Sequence, residues 1–125
     1  TNHVVFTAYD DRATTVSPRM IRLIREELGF TGLLMTDDIS MEALGGTVLE
    51  RGQAALAAGC DLILHCNGDI AEMVSLAAHA GPMTPAAITR AEAALTLRKP
   101  QPTIDIPAAE AELAALLQGE VYVRG

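Results

Sequence analysis

Two continuous apolar runs, residues 32–36 and 61–66, each followed by polar residues and then a helix-forming stretch, constrain this chain more than any other feature. A strand without polar alternation suits burial on both faces, the condition of a parallel sheet covered by helices. A shorter β-branched and aromatic run, residues 4–6, reads as the tail of another strand. Repeated strand–helix order implies parallel strands with right-handed crossovers, an α/β fold. Three strands close no barrel. Either partner strands lie upstream or the sheet is open.

The helices announce themselves by their ends. Ser17 as N-cap and Pro18 at the first helical position begin one whose apolar face is Met20, Ile21, Leu23, Ile24 and Leu28, and Gly29 stops it. Residues 41–46 form a loop. Residues 48–58 are Ala-rich and helical despite Gly52, with Gly59 as terminator. Asp69 caps a helix with Ile70, Met73, Val74 and Ala77 on its apolar face, ending near Gly81. Thr84-Pro85 repeats the cap-plus-proline device, and Ile88, Ala91 and Leu95 continue helically to about Arg98. Residues 99–107 hold three prolines and form an extended connector. Residues 108–118 make a final amphipathic helix, and residues 121–123 are a terminal strand or a loose tail. The division is therefore 1–99 for the strand–helix units and 100–125 for connector, helix and tail.

Composition removes several function classes. The net charge of −7 repels phosphate backbones, and two Tyr, two Phe and no Trp make a poor base-stacking platform, so nucleic acid is not an expected partner. No run approaches the roughly 18 apolar residues of a membrane span. Cys60 and Cys66 read as reduced core thiols. His65 and Cys66 are strand neighbours that point to opposite faces and cannot chelate one ion, so no metal is expected. The chain opens at Thr1, without Met, inside an apolar segment, and further residues are expected upstream.

In parallel α/β folds functional groups gather at the carboxyl ends of strands. Three such ends carry chemistry here: Asn2-His3, Thr36-Asp37-Asp38 and His65-Cys66-Asn67. The acidic pair is the sharpest, because like charge and desolvation both oppose ionisation after a buried strand. The plain alternative is that one Asp caps the following turn and the other faces water.

The segment Gly29-Phe30-Thr31-Gly32-Leu33-Leu34-Met35-Thr36-Asp37-Asp38-Ile39-Ser40-Met41-Glu42 resembles the nucleophile segment of bacterial family 3 glycoside hydrolases, in the wording of their β-N-acetylhexosaminidases. Thr1-Asn2-His3-Val4-Val5-Phe6 is similar to that family's preceding strand, and residues 58–67 and Met83-Thr84-Pro85 to its last barrel strand and the helix after it. The resemblance spans about residues 1–99. It implies the C-terminal part, about three βα units, of a (β/α)8 barrel plus C-terminal helices.

The resemblance also implies chemistry. Asp37 would be the nucleophile of a retaining, exo-acting enzyme, with Asp38 a supporting neighbour. The substrate would be an N-acetylglucosamine-containing saccharide from cell-wall muropeptides, handled in the cytoplasm without cofactor. His3 either lines the sugar pocket or is a structural histidine bonded to backbone. Met41 either meets the acetamide methyl or sugar face, or fills core. Asn67 either touches a hydroxyl or makes the turn with Gly68. His65 stands where the family usually has an apolar residue, and His79 is a helix-terminal residue favourable to the dipole.

One departure outweighs these matches. The family's acid/base comes from an upstream loop of K-H-F-x-G-H type, which these residues lack, as they lack the sugar-gripping basic residues of earlier strands. General acid catalysis is worth about 10²–10⁴ in rate, so the segment alone is expected to be inactive, the missing N-terminal barrel segment being its necessary partner. Two rivals stand beside this reading. One is a non-catalytic sugar- or partner-binding remnant of the same family. The other is a receiver-like phosphoacceptor domain, suggested by the acidic pair and Lys99-Pro100 but at odds with where the pair falls along the chain.

Overall fold

The computed structural model describes residues 1–100 and 102–117. Among them are two parallel strands, β1 (Met35–Asp38) and β2 (Leu62–Leu64), and five helices: α1 (Pro18–Arg22), α2 (Val48–Ala58), α3 (Ile70–Ala80), α4 (Pro85–Thr96) and α5 (Ile106–Leu116). A 3-10 turn, Thr14–Val16, leads into α1, which runs on as a π-helical turn, Leu23–Glu27. No described helix is long and apolar enough to cross a membrane.

The caps act as the sequence suggests. Ser17 Oγ accepts from Met20 N–H at 3.0 Å, with Pro18 at the head of α1. Thr47 and Glu50 form a reciprocal capping box on α2, and Gly59 closes that helix at φ +112°. A Cβ at Gly59 would also stand 3.0 Å from Ile21 Cγ2. Asp69 and Thr84 cap α3 and α4.

The core is a single layer between the two strands and the helices on one side. It is built from Ile21, Leu34, Ile39, Leu44, Ala55, Ala58 and Leu76, with Ile63 packed against it. Gly52 sits inside α2 because a Cβ there would meet Leu76 Cδ2 at 2.7 Å and Ile63 Cδ1 at 3.1 Å. Absence of a side chain lets α2 lie against β2 and α3 together.

Several expectations need correction. Residues 4–6 make no strand: the chain turns back so that Tyr9 N–H reaches Phe6 O at 2.7 Å, leaving one antiparallel bridge between Val5 and Ala13. Burial on both faces fails for residues 32–36, since Leu34 and Thr36 are buried but Met35 is 43% exposed. The helix-less face of the sheet is open. On α3 the packed residue is Leu76, while Ile70, Met73 and Val74 are exposed. Leu28 is likewise exposed, because the π-helical turn rotates it off the face set by Met20 and Ile21. The final helix starts at Ile106, capped by Asp105 with Pro107 in its first turn, two residues before the expected start. Residues 121–123 lie outside the described residues.

Candidate active site

The turn into β1 explains why the Gly-Phe-x-Gly wording precedes the acidic pair. Gly29 adopts φ +68° after the π-helical turn. The Phe30 ring lies under the Arg25 guanidinium at 5.5 Å, and a Cβ on Gly32 would strike that ring at 2.8 Å. Arg25 Nη1 donates to Phe30 O at 3.0 Å and to Gly32 O at 2.6 Å, and Nη2 to Asp61 Oδ2 at 2.6 Å. Asp61 also accepts from Leu34 N–H and from Arg90 Nη1. One buried carboxylate thus joins the π-helical turn, the approach to β1, the approach to β2 and α4. It lies at the amino end of the strands, the end associated with stability in parallel barrels.

The carboxyl end differs. Met35 pairs with Leu62 and Asp38 with Leu64, so β1 advances three residues while β2 advances two. The extra residue is a bulge. Within it Thr36 Oγ1, in place of a backbone oxygen, accepts from Leu64 N–H at 2.8 Å. Bulges re-aim side chains and recur near active sites. Met35 is exposed between buried Leu34 and Thr36, and Asp37 follows them half-buried within the bulge.

Asp37 is half-buried. Its Oδ1 accepts from Asp38 N–H at 2.9 Å, and no hydrogen bond to Oδ2 occurs among the described residues. Asp38 has more partners, its Oδ2 sharing the Ser40 hydroxyl at 2.9 Å. Oδ1 accepts from Ser40 N–H (3.0 Å), Ser40 Oγ (2.8 Å) and Cys66 N–H (3.1 Å). Burial pushes the Asp38 carboxyl up, but the backbone donors of Ser40 and Cys66, the Ser40 hydroxyl and the nearby His65 outweigh it and hold it below the ordinary value. The two neighbours are unlike in kind: one carboxylate has an oxygen to spare, while the other ties the end of β1 to the turn after β2.

The remaining candidates separate. His3 is partly buried, with Nε2 2.9 Å from Asp38 O and Nδ1 2.9 Å from Thr15 Oγ1. Both ring nitrogens thereby have partners within the protein. Met41 is exposed at the mouth of the loop after β1, and Asn67 is exposed in the turn after β2. His65 Nε2 lies 3.2 Å from Glu72 Oε2 on α3, and its buried Nδ1 has no hydrogen-bond partner among the described residues. No group of three metal-binding side chains is found among the described residues.

Sequence reasoning missed Arg51. From α2 it donates to Met41 O at 2.9 Å, with longer contacts to Ile39 O, Ser40 O and Gly45 O at 3.4 Å, and so holds the loop that follows the acidic pair. This Arg in the first turn of α2 carried no local signal, since its partners are backbone oxygens six to twelve residues away.

Two parallel strands with helices packed against them, and a bulge near the carboxyl end of β1 beside a carboxylate, make an α/β region with a candidate site at its strand ends. Residues 1–96 match the family model described as the glycosyl hydrolase family 3 N terminal domain, and the chain belongs to that family. It is similar to the beta-hexosaminidase of Vibrio cholerae, 47% identical over 68 residues, or 52% of this chain and 21% of that protein. The beta-hexosaminidase of Bordetella pertussis is 38% identical over 73 residues, covering 56% of this chain and 21% of that protein. The chain thus spans about a fifth of the length of these curated relatives. Among solved structures, CbsA from Thermotoga neapolitana superposes with a TM-score of 0.69 at 28% identity, over 91% of this chain and 28% of that one. A fungal multi-domain GH3 beta-N-acetylglucosaminidase gives 0.68 at 18% identity, over 94% of this chain and 16% of that one, a likeness of fold alone.

Proposed function

We propose that these residues form the nucleophile-bearing part of a retaining, exo-acting β-N-acetylhexosaminidase that removes N-acetylglucosamine from cell-wall muropeptides in the cytoplasm. Residues 1–99 supply about the last three βα units of the barrel, the first of them through a segment that here forms only a bridge. Residues 100–125 follow as connector, helix and tail. The observation that carries the reading is the asymmetry of the acidic pair: among the described residues Asp37 keeps one oxygen without a hydrogen bond, while Asp38 is tied to Ser40 and to Cys66 N–H.

In the first step an Asp37 oxygen bonds to the anomeric carbon as the bond to the leaving oxygen breaks, and that oxygen takes a proton from an acid on another segment. In the second, water loses a proton to the same group and attacks the anomeric carbon, releasing Asp37 as carboxylate and giving net retention. Met41 would border the sugar from the loop after β1, and Asn67 from the turn after β2. Without the acid/base the 125 residues alone would not turn over.

In the complete protein, Asp37→Ala should lower kcat on the order of 10⁴-fold or more. A slow fluorinated N-acetylglucosaminyl donor should label the peptide that contains Asp37, as shown by mass spectrometry. Near-normal turnover of the variant, or a label elsewhere, would move the nucleophile.

A further inference from the structure

We propose that His3 is a positioning residue for the nucleophile, acting through the backbone of Asp38 and making no contact with the sugar; this rests on the assignment of Asp37 above. The N–H of Asp38 holds Asp37 Oδ1 at 2.9 Å, and the C=O of the same residue receives His3 Nε2 at 2.9 Å. Asp38 is gripped on both sides, so its backbone cannot swing without moving the attacking carboxylate. The two residues bonded here are 35 apart in sequence, which makes the contact a tertiary clamp.

Chemistry fixes the proton at one end of the ring. A carbonyl oxygen only accepts, so Nε2 carries the hydrogen. At the other end Thr15 has one hydroxyl proton and three neighbours: His3 Nδ1 at 2.9 Å, Asn2 O at 2.8 Å and Thr1 Oγ1 at 2.9 Å. With a neutral ring the hydroxyl donates to Nδ1, while Asn2 O still accepts Thr15 N–H at 3.1 Å. With a protonated ring Nδ1–H donates to the hydroxyl oxygen, whose own proton turns to Asn2 O. The bond from Nε2 to Asp38 O survives in both states. Thr15 is fully buried, so bulk water does not compete for its hydroxyl. The titratable groups on the elements that grip the ring are Asp37 and Asp38 on β1 and, against Thr15 O, the Cys60 thiol. Burial pushes that thiol up to about 11, and it stays neutral. The clamp is therefore indifferent to the charge of its own histidine.

The test uses the complete enzyme and a chromogenic N-acetylglucosaminide, with His3→Ala, His3→Gln and His3→Asn compared for kcat, KM and pH profile. Displacement of a reacting group by an ångström can cost ~10²-fold, so His3→Ala should lose about 10–10²-fold in kcat. Its KM should stay within roughly twofold, because the ring makes no sugar contact. His3→Gln, whose amide reaches the carbonyl, should regain most of the loss without moving either limb of the pH profile. His3→Asn, one bond shorter, should resemble His3→Ala, and it stands in for that variant should alanine prevent folding. A rise in KM with kcat kept, a Gln variant no better than Asn, or an acid limb that vanishes with the histidine would each overturn the proposal. Labelling by the fluorinated donor is run on the same variants. A label outside Asp37 defeats the nucleophile assignment itself, whereas a correct label with an unchanged kcat in His3→Asn defeats only the clamp.

Discussion

Asp38 shows how a carboxylate beside a candidate site can be taken up in holding loops together. Its carboxylate collects Ser40 N–H, Ser40 Oγ and Cys66 N–H, and so fastens the loop after β1 to the turn after β2. Hydrogen bonds to a charged acceptor are worth about 1.5–3 kcal/mol, with exposed donors recovering part of that from water. Asp38→Ala in the complete protein should therefore cost about 1–2 kcal/mol by urea unfolding. The pH dependence has a definite sign. The folded carboxyl lies below its ordinary value, so the stability it confers is present above the unfolded value, near 3.9, and is lost as pH falls through the folded one. The gap in stability between wild type and Asp38→Asn should be widest near neutrality and close on acidification below about 4. A gap constant from pH 7 to pH 3 would mean that the charge is idle. At this scale the acidic pair was legible in sequence. The resemblance implied which Asp reacts, but the residues alone could not show the tie from Asp38 to Cys66 N–H, 28 residues away.

At the scale of elements the ends were easier to read than the faces. Ser17-Pro18, Thr84-Pro85, Asp69 and Gly59 mark the termini they were expected to mark, since capping is a bargain struck within a few residues. Which stripe of an apolar helix packs is settled by the neighbour. The α3 face of Ile70, Met73 and Val74 has ideal spacing, yet Leu76 meets the core because Gly52 of α2 leaves room for it. Residues 4–6 had strand composition but turn back at once. Helix propensity and packing pull in opposite directions at Gly52. Alanine gains about 0.5–1 kcal/mol in a helix interior, while overpacking costs about 1–3 kcal/mol. The Leu76 methyl can shift, so Gly52→Ala should lie within about 1 kcal/mol of wild type. Gly52→Val, whose extra bulk must displace Ile63 as well, should destabilise by about 2 kcal/mol or more. Thermal melts of both variants check this, and equal melting temperatures would show that the interface between α2 and α3 is loose. Asp61 joins more elements still. Its side chain is 5% exposed between two arginines, and removing one partner of a buried charge network costs about 3–5 kcal/mol. Arg90 is nearly a third exposed and takes up water, so Asp61→Ala should fall at the low end, about 3 kcal/mol.

The molecule as a whole has one covered face and one open one. Parallel sheets are ordinarily covered on both sides, and a two-stranded sheet is marginal by itself. Here Met35 is exposed on the open face, and Val4, Val5 and Phe6 stand exposed beside the bridge to Ala13. Exposed apolar surface of that kind marks an interface or an aggregation site. In the complete family member it would be covered by the other strands of the barrel, the same strands that would bring the acid/base and the basic sugar-binding residues. Stability and catalysis should then fail together when those strands are withheld. Residues 1–125 expressed alone should self-associate in light scattering, with Met35 and Phe6 protected in the associated form by methionine oxidation and hydroxyl-radical footprinting. They should release no chromophore from an N-acetylglucosaminide. Addition of a separately expressed upstream segment of the same protein should dissolve the self-association and restore measurable hydrolysis, and Asp37→Ala in the shorter piece should cancel that restoration. A stable monomer with Met35 freely oxidised would show that the open face needs no cover, and the barrel placement would lose its physical basis.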